Sequence, residues 1–137
     1  RDRADAAGIR PKIFLANLGR IAAFTARATW AKNFFEAGGI AAIGNDGFAS
    51  LTDMVAAFNA SGAKAAVICS SDAVYAEQAV DAAVALKDAG AGPLYLAGKP
   101  VDADSKAAYT AAGVEAFVHV GVDVVATLSE ALDKLGA

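Results

Sequence analysis

Short apolar runs recur along this chain, and each is followed by turn-forming residues. The runs are continuous rather than alternating, which is typical of strands in a parallel sheet that is covered on both faces. Five of them have the length of a strand, and we predict strands at Lys12–Asn17, Ile40–Gly44, Ala65–Ser70, Leu94–Ala97 and Ala116–Val118.

Longer segments with helical spacing separate these runs. Thr25 and Asp72 are the expected N-terminal caps of two of them, since Thr and Asp side chains accept hydrogen bonds from free amides of a first turn. Val80 and Val84 are four residues apart and, with Ala83 and Leu86 across the turn, are predicted to form an apolar stripe on the helix that contains them. The predicted helices are Thr25–Ala37, Leu51–Ala60, Ala73–Ala89, Asp104–Ala112 and Val122–Leu135.

Strands and helices therefore alternate along the whole chain. Such alternation is typical of a doubly wound α/β sandwich with right-handed crossovers. At this length the best prediction is a flavodoxin-like, Rossmann-like parallel sheet of five strands in the order 2-1-3-4-5. We expect residues 1–10 to be a linker from a preceding domain and residues 11–137 to be one domain.

Composition narrows the possible partners. The chain has 12 Lys and Arg against 15 Asp and Glu, with a net charge of −3, which argues against a nucleic-acid surface. Apolar residues make up 56%, but no window has the uninterrupted apolar character of a membrane span. Cys69 is the only cysteine, on a predicted buried strand, so we interpret it as a core residue. A single unpaired cysteine and the lack of a signal peptide favour the cytoplasm.

In this architecture, ligands bind beyond the carboxyl ends of the strands. The loop after the first strand, residues 20–24, is too apolar for a flavin phosphate cradle and lacks a dinucleotide fingerprint. A phosphate-receiver site is also absent, because Asn17 and Cys69 stand where acidic residues are needed. Ile21 and Phe24 are predicted either to pack locally or to contact another subunit. His119, the only histidine, lies on the same edge without a metal-binding cluster around it in the sequence.

The stretch from Leu18 to Gly39 resembles the cobalamin-binding-like domain of small (beta) subunits in the methylmalonyl-CoA mutase family. In cobalamin-binding members, Asp-x-His-x-x-Gly follows the first strand, and its histidine ligates cobalt. Here those motif positions are occupied by Ile21, Ala23 and Ala26. An alanine methyl has no lone pair for cobalt, and isoleucine cannot orient an imidazole.

Further positions match the region that holds the nucleotide tail of cobalamin in the family. Ser70 and Ser71 match a Ser-Ser pair, and Gly98 matches the first glycine of a Gly-Gly turn whose second position is Lys99 here. The two serines could equally cap the following helix. All six matching positions are interpreted as relics, so we expect no catalytic residue, metal ligand or bound cofactor in this chain.

The resemblance implies a C-terminal domain without catalytic residues in a subunit of an isomerase. Its expected partner is the mutase large (alpha) subunit, in a heterodimer, and that subunit is expected to hold adenosylcobalamin and to interconvert methylmalonyl-CoA and succinyl-CoA. Two alternatives stay open. One is a cobalamin-binding module without a histidine ligand, and the other is an unrelated flavodoxin-like domain in which Lys99, Ser71 and His119 bind a small anion.

Overall fold

The structure is a computed structural model of the chain. It describes residues 12–19, 21–37, 40–44, 47–48, 50–61, 63–91, 94–98 and 102–118. The predicted linker at residues 1–10, the predicted helix at Val122–Leu135, and Lys99 and His119 lie outside these residues.

Five parallel strands form one sheet in the order β2-β1-β3-β4-β5, which confirms the predicted order 2-1-3-4-5. The order reverses between β1 and β3, where the chain switches from one direction of winding to the other. The strands are β1 Lys12–Asn17, β2 Ala41–Ile43, β3 Ala65–Cys69, β4 Leu94–Ala97 and β5 Ala116–Val118.

The helices in the described part of the chain follow the strands in alternation. They are α1 Ile21–Ala37, α2 Leu51–Ser61, α3 Asp72–Asp88 and α4 Ala103–Ala111. Successive strand residues point to opposite faces, so each strand contributes to two apolar cores. Ile13, Leu15 and Val67 pack with α1 on one face, whereas Phe14 and Ile68 pack with the other three helices on the opposite face.

The first helix begins four residues earlier than predicted, at Ile21 rather than Thr25. Thr25 is therefore not an N-terminal cap, and its hydroxyl instead donates to the carbonyl of Ile21 within the helix. The early start has a physical reason, because Phe24 is almost fully buried and Ala22 and Ala23 are strong helix formers. The segment predicted as a loop is thus the first turn of α1.

Two predictions for α3 are wrong, one of them in part. The N-terminal cap is Ser71 and not Asp72, since the Ser71 side chain accepts a hydrogen bond from the amide of Val74. The predicted apolar stripe is wrong in part, because Ala83 and Leu86 are fully buried but Val80 and Val84 are 39% and 44% exposed. The buried face of α3 is made mostly of small residues, together with Tyr75 and Leu86. Alanines occupy most of the buried positions of α3, so Val80 and Val84 lie outside its buried face.

Candidate functional site at the carboxyl edge of the sheet

The carboxyl ends of β1 and β3 are closed against each other. Their pairing continues past the strands, where the Leu18 amide donates to the Cys69 carbonyl at 3.0 Å. The Ser70 hydroxyl then donates to the Leu18 carbonyl at 2.7 Å. The place where the winding reverses is therefore bridged by protein hydrogen bonds.

Ser70 is fully buried, and all of its polar groups are used within the protein. Besides the hydroxyl bond to Leu18, its amide donates to the Tyr75 hydroxyl oxygen at 2.9 Å. Its carbonyl accepts from Nη1 of Arg27 at 2.8 Å. Of the two roles predicted for the serine pair, capping applies to Ser71 alone. Ser70 ties β3 to β1, α3 and α1.

Arg27 reaches this edge from the middle of α1. Its guanidinium carbon lies 5.2 Å from the centre of the Tyr75 ring, which is the geometry of a cation–π contact. Tyr75 belongs to α3 on the opposite face of the sheet, so the two side chains meet over the ends of β3 and β4. We refer to Ser70, Tyr75 and Gly98 together as the Arg27 seat.

Gly98 provides the third side of the Arg27 seat. Its φ of +124° lies in a region that residues with a side chain rarely adopt. A Cβ atom at this position would stand 3.0 Å from Cζ of Arg27 and 3.1 Å from Nη1. The Gly98 amide is fixed in place by donating to the Val118 carbonyl at 2.8 Å. A glycine here therefore allows the guanidinium to lie directly against the backbone.

The Tyr75 hydroxyl holds the ends of β3 and β4 at a common point. It lies within hydrogen-bonding distance of the Ile68 carbonyl, at 3.0 Å, and of the Ala97 carbonyl, while its oxygen accepts from the Ser70 amide. Burial raises the pKa of Tyr75 above its usual range, and the nearby Cys69 raises it further. The phenol therefore stays protonated and acts as a donor at neutral pH.

Cys69 is a core residue, as predicted. Its side chain is fully buried, and burial raises the pKa of the thiol above its ordinary value. The positive charge of Arg27 opposes that rise but is the smaller effect. A buried neutral thiol is a poor nucleophile, because the thiolate is the reactive form.

The three positions matched to the cobalt-ligand motif all lie in the first turns of α1. Ala23 is half-buried, Ala26 is exposed, and Ile21 is 56% exposed. Ile21 and Phe24 line the same cavity but differ in exposure, because Phe24 is buried in the core beneath α1. Within the described residues no group of three or more His, Cys, Asp or Glu side chains could hold a metal ion. The side chains at these motif positions do not fit a cobalt site, since none carries a donor atom.

Two surface cavities flank the end of β1, on opposite sides of the sheet. One, of about 230 Å³, lies against α2 and is lined by Leu18, Phe48 and Met54 among others. The other, of about 310 Å³, lies beside α1 and includes Ile21 and Lys32 in its lining. Ala23, Ser70 and Gly98 line neither of these cavities. Of the positions matched to the nucleotide tail, Ser70 is fully buried, whereas Ser71 and Gly98 are half-buried.

Sequence reasoning did not assign a role to Arg27. The only signal was an arginine within an alanine-rich helix, and helical spacing alone does not show which strand end its side chain reaches. As for membranes, none of the helices among the described residues is long and apolar enough to cross a bilayer.

Comparison with known structures supports the architecture. A CheY-like protein, TadZ, from Pseudomonas aeruginosa superposes with a TM-score of 0.63 at 20% identity, covering 92% of this chain and 94% of that one. HP1043, an orphan response regulator of Helicobacter pylori, gives 0.59 at 11% identity, covering 91% and 96%. At such low identities these likenesses concern the fold alone.

Sequence comparison identifies much closer relatives, although no family model matches the chain. The methylmalonyl-CoA mutase small subunit of Streptomyces virginiae is 45% identical over 132 residues, which are 96% of this chain and 20% of that protein. The small subunit of Propionibacterium freudenreichii subsp. shermanii is 39% identical over 98% of this chain and 21% of that protein. The Porphyromonas gingivalis small subunit is 37% identical, covering 94% and 20%.

The chain thus spans about one fifth of the length of these relatives. The identities extend over nearly all of its residues and recur among proteins from three organisms with the same name. This chain is therefore a homologue, over nearly its whole length, of a segment of the methylmalonyl-CoA mutase small subunits.

Proposed function

We propose that this chain is a domain of the small subunit of an adenosylcobalamin-dependent methylmalonyl-CoA mutase, where it has a structural, assembly role and binds no cobalamin. In this proposal the large subunit holds both the cofactor and the substrate in a heterodimer. The rearrangement between methylmalonyl-CoA and succinyl-CoA would take place there, because the radical chemistry belongs to the cofactor. The homologous domain would complete and stabilise the assembly in the cytoplasm.

The observation that supports a degenerate cofactor site is that Ala23 and Arg27 occur together on α1. Position 23 offers a methyl group where the family motif has a cobalt-ligating imidazole. One helical turn later, Arg27 makes contact with Ser70 and Gly98, two of the positions matched to the nucleotide tail. Both halves of a cobalamin site would thus be altered, and by residues of the same helix.

An absorbance titration with adenosylcobalamin tests the cofactor part of the proposal. We expect the full-length chain, mixed with the cofactor and desalted, to retain no corrin absorbance. Retention of corrin by the chain alone would contradict the proposal and favour a cobalamin-binding module without a histidine ligand. The same titration with a large subunit of the mutase provides the positive control.

Co-purification tests the assembly part. The full-length chain, co-expressed with a mutase large subunit, should elute with it as a heterodimer that contains cobalamin. Elution of the chain as a stable monomer in the presence of that subunit would contradict the assembly role. In that case, phosphate titrations of variants at Lys99, Ser71 and His119 would test the alternative of a small anionic ligand.

A further inference from the structure

We propose that the Arg27 side chain is a permanent internal occupant of the space between the carboxyl ends of β3 and β4, so that the domain is closed and stabilised without a ligand there. The chemical class that this space accepts is a planar guanidinium cation. The identification of this space with the former tail site rests on the proposed function, whereas the contacts of Arg27 do not.

The Arg27 seat matches the chemistry of a guanidinium on two sides. In its plane, Nη1 donates to the Ser70 carbonyl at 2.8 Å. Its carbon lies 5.2 Å from the centre of the Tyr75 ring, whose electron-rich face attracts a cation. A lysine would provide a charge but no planar group that could both donate to the carbonyl and lie along the ring.

Gly98, on the third side of the Arg27 seat, shows that the guanidinium fits closely. Three guanidinium atoms, Cζ, Nη1 and Nε, stand 3.0, 3.1 and 3.3 Å from the position that a Cβ on Gly98 would take. These distances are shorter than ordinary van der Waals contact, so even a methyl group would require the guanidinium to move by a few tenths of an ångström. A ligand that touches Ser70 and Gly98 would meet the same obstacle. The Arg27 seat can therefore hold the guanidinium or a ligand, but not both.

The contacts also explain how the domain would remain closed. Arg27 lies on α1, and the groups that it touches belong to α3 and to the ends of β3 and β4. These elements come from both faces of the sheet. One side chain thus holds together the edge at which flavodoxin-like domains normally open to ligands.

Replacement of Arg27 by alanine in the full-length chain tests the inference. The readout is hydrogen exchange, followed by mass spectrometry of peptides that cover residues 65–71 and 94–98, so that it reports on β3, β4 and the residues that follow them. We expect exchange there to become about tenfold faster, because the amides of Ser70 and Gly98 lose the packing that holds their acceptors in place. Lys32→Ala, which removes an exposed cation from the same helix, is the matched control and should leave these peptides unchanged.

Chemical rescue then identifies the occupant. Millimolar methylguanidinium should slow exchange in Arg27→Ala towards the parent rate, whereas the same concentration of methylammonium should not. Neither cation should alter these peptides in the parent chain, in which the Arg27 seat is filled. Unchanged exchange in Arg27→Ala, or equal rescue by the two cations, would overturn the inference.

A second pair of variants covers the case in which Arg27→Ala does not fold. Gly98→Ala adds backbone strain in any background, but its clash exists only when Arg27 is present. Gly98→Ala should therefore accelerate exchange less in an Arg27→Met chain than in the parent, and equal effects in the two chains would refute the inference. Corrin retention by the parent chain would defeat the proposed function without changing any of these results, so the two failures are distinguishable.

Discussion

Removal of the Tyr75 hydroxyl is the most informative single perturbation of this edge. Tyr75→Phe keeps the buried ring, and therefore the surface on which the Arg27 guanidinium rests. It removes the acceptor of the buried Ser70 amide and the donor to the carbonyl groups at the ends of β3 and β4. The change therefore isolates the hydrogen bonds from the packing of the ring.

The expected loss of stability follows from the burial of the polar groups that lose their hydrogen-bond partner. Ser70 is fully buried and Tyr75 is 3% exposed, so water does not readily replace the missing hydroxyl. A buried donor without an acceptor costs about 1–3 kcal/mol, and loss of the donor to the Ile68 and Ala97 carbonyls adds to this. We expect the free energy of unfolding to fall by about 3 kcal/mol in total.

Equilibrium urea unfolding of the parent and variant chains measures this loss. With an m value of about 2 kcal/mol per molar urea, the midpoint should move down by about 1.5 M while m stays the same. Exchange of the Ser70 amide should also accelerate, which separates a local effect from a general one. A midpoint within about 0.2 M of the parent value would refute the account of Tyr75 as the link between the strand ends.

Four further substitutions, one of them a control, test other parts of the structure. Leu86→Ala should lower the free energy of unfolding in urea by about 2–5 kcal/mol. Val84→Gln, on the exposed face of the same helix, should change this free energy by about 0.5 kcal/mol or less. Similar losses in the two variants would contradict the observed buried face of α3. Ser71→Ala should cost about 1 kcal/mol through loss of the N-terminal cap, and a neutral result would show that the cap contributes nothing. Burial raises the pKa of Cys69, so the unfolded thiol ionises first and stability should fall as pH rises above 9.0. Cys69→Ala should reduce the slope of the free energy of unfolding against pH by up to about 1.4 kcal/mol per pH unit. Equal slopes in the parent and the variant would contradict this prediction.

The fold could be predicted from the sequence because its strands are short continuous apolar runs. All five predicted strands exist within two residues of their expected bounds, and their order is the expected one. The errors occurred in alanine-rich helices. Alanine is compatible with both core and surface, so the pattern did not reveal that α1 begins at Ile21 or that Val80 and Val84 face outwards.

The candidate site was only partly predictable. The sequence alone shows that Ala23 cannot ligate cobalt at the position matched to the histidine of the family motif, since this concerns one residue and its chemistry. The role of Arg27 is not, because it depends on contacts with residues that lie 43 to 71 positions further along the chain, at Ser70, Tyr75 and Gly98. The positive φ of Gly98 could not be predicted from the sequence either, although the glycine itself was matched to a turn of the family.

Ala23 and Arg27 are four residues apart on α1, so the two residues that we propose to prevent cobalamin binding lie on neighbouring turns of the same helix face. If the ligand residue were the only loss, Ala23→His would restore binding. An imidazole at position 23 would supply a donor atom, but Arg27 would still fill the space between Ser70 and Gly98. We therefore expect Ala23→His alone to retain no corrin after desalting, and retention by that single variant would mean that the Arg27 side chain leaves its position readily. In the proposed account, the absence of a histidine at position 23 removes the means of holding cobalt, whereas the Arg27 side chain takes the place of a bound cofactor as a source of stability. Only the second change would explain how the fold remains closed without the cofactor.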